Sequence, residues 1–130
     1  MINKKLQKLR NLRGHVLGLE MGLNLLEQDL DIVEKHIVYL SQLQDNLTYN
    51  INLHRSSAVI SVMKEYKKSL YELGLVNSEL SKHHNRRKTI ENKLHIQTQN
   101  YKYYSQEYHN TYQELQNESV ILLFKRTKDE

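Results

Sequence analysis

Proline, cysteine and tryptophan are absent from this chain of 130 residues, which carries only four glycines and one phenylalanine. Proline is the strongest local helix breaker, so its absence over this length points to helix throughout. Without cysteine there are no disulfides and no thiolate metal sites, which fits a reducing compartment such as the cytoplasm. Met1 leads into Ile-Asn-Lys-Lys with no apolar core of a signal peptide behind the charges. No stretch approaches the ~18 consecutive apolar residues that a membrane span needs. Asn46-Leu47-Thr48 and Asn117-Glu118-Ser119 match the glycosylation pattern, and with no signal peptide they read as chance.

What the chain does have is an apolar ladder spaced alternately by three and four residues: Leu9, Leu12, Val16, Leu19, Leu23, Leu26, Leu30, Val33, Ile37, Leu40. These are consecutive a and d positions of a heptad repeat, and a helix cannot bury such a stripe against itself. The register continues through Gln44, Leu47, Ile51 and His54 and fades toward Ala58. A second ladder is expected out of phase with the first, at Met63, Tyr66, Leu70, Leu73, Asn77, Leu80, His84 and Arg87. Ser56 and Ser57 lie between the two and are candidate caps for a second helix. With no Gly or Pro there, the competing reading is one continuous helix of about 195 Å at ~1.5 Å per residue.

Charge favours the fold-back. Residues 14–54 hold six acids and one base, net −5, whereas residues 55–88 hold eight bases and three acids, net +5. Folding near Ser56 lays the acidic segment beside the basic one, and charges flanking an apolar seam set orientation. The expected fold is all-α: a long antiparallel two-helix coiled-coil hairpin in one domain. Helix one is expected over about 3–54, the turn over about 55–58 and helix two over about 59–124.

Farther along, the stripe becomes Ile90, Leu94, Tyr101, Tyr104, Tyr108, Tyr112 and Leu115. The tyrosines at 101, 104, 108 and 112 share a helix face. That face reads as an aromatic seam against Leu6, Leu9 and Leu12, as a protein-binding face, or as a stacking platform for single-stranded nucleic acid. At the chain start Lys4, Lys5, Lys8, Arg10 and Arg13 occur with no acid among the first 13 residues. Near the other end, Val120–Leu123 and Phe124 precede Lys125 and Arg126. A hairpin brings both ends together, giving a basic tip with an apolar plug, suited to an acidic protein surface.

Catalytic constellations are not evident. Gly14, Gly18, Gly22 and Gly74 form no phosphate loop, although the first three follow one another at four-residue spacing, where a neighbouring backbone could approach closely. The seven histidines form no metal-binding pair on one helix face. Ser and Thr show no base-and-orienter arrangement. The expectation is a non-enzyme without cofactor or metal. Nucleic acid is disfavoured as a partner, because a net charge of +4 with many acids is a weak electrostatic footprint.

The opening Leu6-Gln7-Lys8-Leu9-Arg10-Asn11-Leu12-Arg13 resembles that of the FliJ family of flagellar export stalk proteins. Tyr66-Lys67-Lys68-Ser69-Leu70-Tyr71-Glu72-Leu73, followed by a long polar helix, is similar to the second helix of FliJ and of its injectisome relatives SctO and YscO. The likeness covers nearly the whole chain in length and layout. It departs from the flagellar members in the tyrosine-rich 101–112 segment and the weaker second heptad. The resemblance implies a hairpin whose joined termini enter the pore of a hexameric export ATPase, on the cytoplasmic face of a type III secretion or flagellar apparatus. It would assign Lys4, Lys5, Lys8, Arg10, Arg13, Phe124, Lys125 and Arg126 to that pore. A surface facing the export gate would include Tyr66, Leu70, Leu73 and Val76. Two other readings stay open. One is a structural coiled coil of a phage virion or its assembly machinery; the other is a helical nucleic-acid-binding protein using residues 82–88 and the tyrosines. A prefoldin-like chaperone arm is disfavoured, since no Asn-Gly or Asp-Gly hairpin turn separates the helices.

Overall fold

The computed structural model describes the backbone of residues 2–57 and 59–129 and the side chains of 2–57 and 59–119. Helix α1 runs Ile2–His54 and helix α2 runs Ile60–Asp129. The chain is an all-α helical hairpin, and no strand occurs among the described residues. The continuous-helix alternative is thereby excluded.

Local hydrogen bonds make the break without glycine or proline. The Ser57 amide donates to the His54 carbonyl at 3.2 Å. The Ser57 hydroxyl accepts from the Val59 amide at 3.2 Å, a serine turn that satisfies a donor just before α2. The first α2 bond then runs from the Met63 amide to the Val59 carbonyl at 2.9 Å. No described residue has a positive φ. Ser57 closes the turn, but Val59 holds the N-cap position, so neither candidate serine caps α2 itself.

The chain forms two compact units: Met1–Leu26 with Lys93–Glu130, and Glu27–Asn92. Each is an antiparallel pair of helical segments. In the first unit α1 turns Leu9, Leu12, Val16, Leu19, Leu23 and Leu26 inward; in the second it turns Leu30, Val33, Ile37, Leu40, Leu47 and Ile51 inward. Every position of the first ladder is buried or half-buried, and Val33, only 1% exposed, is the most enclosed apolar side chain among the described residues. Full burial of such a side chain contributes roughly 1.5–3 kcal/mol.

The second ladder requires a correction. Tyr66, Leu73, Leu80, His84 and Arg87 do turn inward, but Met63, Leu70 and Asn77 are exposed. Val62, Ser69 and Val76 take the intervening inward places, each one residue earlier, and His83 sits on the same heptad line. A one-residue step rotates a side chain by about 100° around the helix, which moves a seam residue to the flank. The register is held from beyond: counting back by sevens from buried Ile90 reaches His83, Val76, Ser69 and Val62. Ser69 and Thr111 are therefore buried at seam positions that carry no apolar signal.

The charge argument predicted the correct orientation, but the ion pairs lie elsewhere. Within Glu27–Asn92 the described bridges are all internal to one helix: Lys35–Asp31, Lys68–Glu72, Lys82–Glu79 and Arg87–Glu91. The bridges across the seam occur in the other unit and have the opposite sense, with bases on α1 and acids on α2.

Ser105 is a weak point of the seam. Its hydroxyl is buried with no hydrogen-bond partner, at a cost of about 1–3 kcal/mol for an unsatisfied group. Ser105→Ala is expected to stabilise the protein by about 1 kcal/mol, through relief of that hydroxyl and better helix propensity. Urea unfolding followed by circular dichroism would measure it as a higher midpoint.

Candidate functional site

The unit containing both chain ends gathers most of the residues singled out at the start. Ile2, Leu6 and Leu9 of α1 and Tyr112, Leu115 and Gln116 of α2 line an open groove of about 680 Å³. The groove exists because Leu6 lies off the a/d ladder and Tyr112 lies just past the seam position of Thr111. Both are exposed at its mouth while Leu115 forms its floor. An apolar groove rimmed by polar groups is a form that protein partners use.

The five bases of the N-terminal segment separate into two groups. Lys5 bonds to the Glu118 carboxylate and lies 3.5 Å from Glu114. Lys8 lies 3.9 Å from Glu107. The hydrogen bond to Glu118 raises the Lys5 ammonium above the ordinary lysine value; partial desolvation opposes this, and the charges of Glu118 and Glu114 reinforce it. Lys4, Arg10 and Arg13 are exposed and form no bridge among the described residues. Among the described residues, the free basic charge of this N-terminal segment thus rests on Lys4, Arg10 and Arg13, while Lys5 and Lys8 pair across to α2. The pairing was foreseeable from Glu107, Glu114 and Glu118, which recur near the C-terminus opposite the basic start. The expectations on Phe124, Lys125 and Arg126 concern side chains outside the described residues.

The tyrosines face mostly inward. Tyr101, Tyr104 and Tyr108 are half-buried, and Tyr112 is exposed. The Tyr101 hydroxyl donates to the Glu20 carboxylate at 3.0 Å. His15 stacks on Tyr104, with ring centroids 4.8 Å apart and planes 10° from parallel. Tyr103 meets Tyr104 edge-on at 5.3 Å and is itself exposed. An aromatic pair of this kind contributes ~0.5–1.5 kcal/mol beyond its burial. The segment behaves as a polar-aromatic seam, with Tyr101 bonded at its tip and Tyr104 stacked on its face.

Tyr66, Leu70, Leu73 and Val76 do not form one surface. Three are half-buried toward the seam, and Leu70 alone is exposed, beside exposed Met63 and Tyr71. Gly14, Gly18, Gly22 and Gly74 lie in helix interiors, and a Cβ built at each meets nothing within 4 Å. No part of the described chain closes on the glycine stripe. Among the described residues no group of three or more His, Cys, Asp or Glu is placed to hold a metal. No described helix is long and apolar enough to cross a membrane. No family model, curated protein or solved structure matches this chain.

Proposed function

We propose that the protein is a non-enzymatic helical-hairpin adaptor that docks by its joined ends. In its most specific form the partner is the pore of a hexameric type III export ATPase on the cytoplasmic side of the apparatus. The observation that carries the docking is the groove of Ile2, Leu6, Leu9, Tyr112 and Leu115, in a unit whose Lys4, Arg10 and Arg13 are exposed and unbridged among the described residues. Apolar anchors supply affinity, and flanking charge steers an acidic partner into register. The resemblance to FliJ and SctO supplies the ATPase and the export gate. Support for a gate contact is confined to Leu70, because Tyr66, Leu73 and Val76 turn toward the seam. Nucleic acid has less support: three tyrosines of the stacking face turn inward, and Lys82 and Arg87 already pair with Glu79 and Glu91.

The test uses tagged full-length protein and a variant with Lys4→Glu, Arg10→Glu and Arg13→Glu, which leaves the Lys5 and Lys8 bridges intact. The expected result is that wild type recovers a hexameric ATPase from lysate of its own host, while the variant, equally helical by circular dichroism, recovers at most a tenth as much. Absence of an ATPase, or equal recovery by the variant, overturns the export-stalk reading. Tip-independent recovery of virion proteins favours the structural alternative.

A further inference from the structure

The Glu27–Asn92 unit carries a second pattern that its seam does not use. Ile32, Val38, Tyr39, Tyr49 and Leu53 of α1 are exposed, as are Met63, Leu70, Tyr71 and Leu75 of α2. The α1 segment 27–54 has five acids and one base, net −4; the α2 segment 60–92 has seven bases and four acids, net +3. No described bridge in the unit crosses between its helices; each joins residues of one helix. The stacked level of the helices is fixed by His36 against His83, with ring centroids 5.2 Å apart, and by Gln44 donating to Asn77 at 2.8 Å. At that register acidic Asp31 and Glu34 stand near the level of basic Arg86 and Lys88, with Glu27 and Lys82 at opposite ends of the band.

We propose that this unit is a homodimer interface, in which α1 of each copy packs against α2 of the other. Pairing α1 with α1 would set net −4 against net −4, and pairing α2 with α2 would oppose two basic segments. A two-fold axis running along the helices avoids both. It places the acidic band of each copy opposite the basic band of its partner, twice, and encloses exposed apolar side chains from both helices between them. The contact is isologous, as two-fold dimers require, and the product is a four-helix bundle. The inference uses only residues 27–92 and does not rest on the partner proposed for the chain ends.

Sedimentation equilibrium of the full chain tests it. The expected result is a particle of twice the 15.6 kDa chain mass at tens of micromolar. Two variants are then compared: Glu27→Lys with Asp31→Lys and Glu34→Lys, and Lys82→Glu with Arg86→Glu and Lys88→Glu. Each alone is expected to dimerise at least tenfold more weakly, and an equimolar mixture to recover a dimer containing one copy of each, because both charge bands are then complementary again. Should either variant lose helicity, Ile32→Gln with Tyr39→Gln replaces it; both side chains are outside the seam, and at least tenfold weaker association is expected. Monomeric wild type at 100 µM overturns the proposal and leaves a basic helix of another protein as the occupant of this face. Unchanged association of the well-folded variants overturns it as well.

Discussion

Val33→Asp is expected to cost roughly 3–5 kcal/mol and to unfold much of the hairpin, because it places an unpaired carboxylate in the most enclosed apolar position of the seam. Single domains have only about 5–15 kcal/mol of stability, so a loss of this size removes a large part of it. The control is Val38→Asp, five residues on and exposed, which should change stability by no more than about 0.5 kcal/mol. Thermal melts at 222 nm distinguish the two. Equal melting temperatures for the two variants would remove the heptad assignment from which the fold was read.

The opposite sign is expected when Gly14, Gly18, Gly22 and Gly74 are all changed to alanine. Each lies inside a helix, none has a positive φ, and the added Cβ meets nothing within 4 Å. Helix propensity alone then contributes about 1 kcal/mol per site, so the fourfold variant gains on the order of 3–4 kcal/mol. For a chain of this size that raises the melting temperature by on the order of 10 °C. A gain accompanied by unchanged partner binding would mean that the stripe is open surface in the complex too. A gain accompanied by lost binding would place a partner backbone against Gly14, Gly18 and Gly22. A loss of stability would contradict the open surroundings of these glycines.

The fold was largely legible because its cause is periodic. Leu9 to Ile51 repeat at a spacing only a buried helix stripe produces, and every one of those positions is shielded. The α2 register was less legible because hydrophobicity and position disagree there. Met63 and Leu70 are bulkier than Val62 and Ser69, so apolar character alone favours the wrong neighbour. Only continuity with Ile90 and Leu115 decides between them. The tip was partly legible: five bases are visible in the sequence, but which ones are spent on Glu107, Glu114 and Glu118 depends on the antiparallel register. The groove was not legible, since it arises from the off-ladder placement of Leu6 and Tyr112 across two distant segments.

The antiparallel register also orders the events of folding. Gln44 and Asn77 are separated by 33 residues of chain, Glu20 and Tyr101 by 81, and Lys5 and Glu118 by 113. Closing a loop costs more entropy as the loop lengthens, unless the layers inside it have already formed. The hairpin is therefore expected to close from the Ser57 turn outward, with each layer shortening the loop left for the next. Under that order the residues lining the groove of Ile2, Leu6, Leu9, Tyr112 and Leu115 are expected to be the last to meet in folding and the first to part in unfolding.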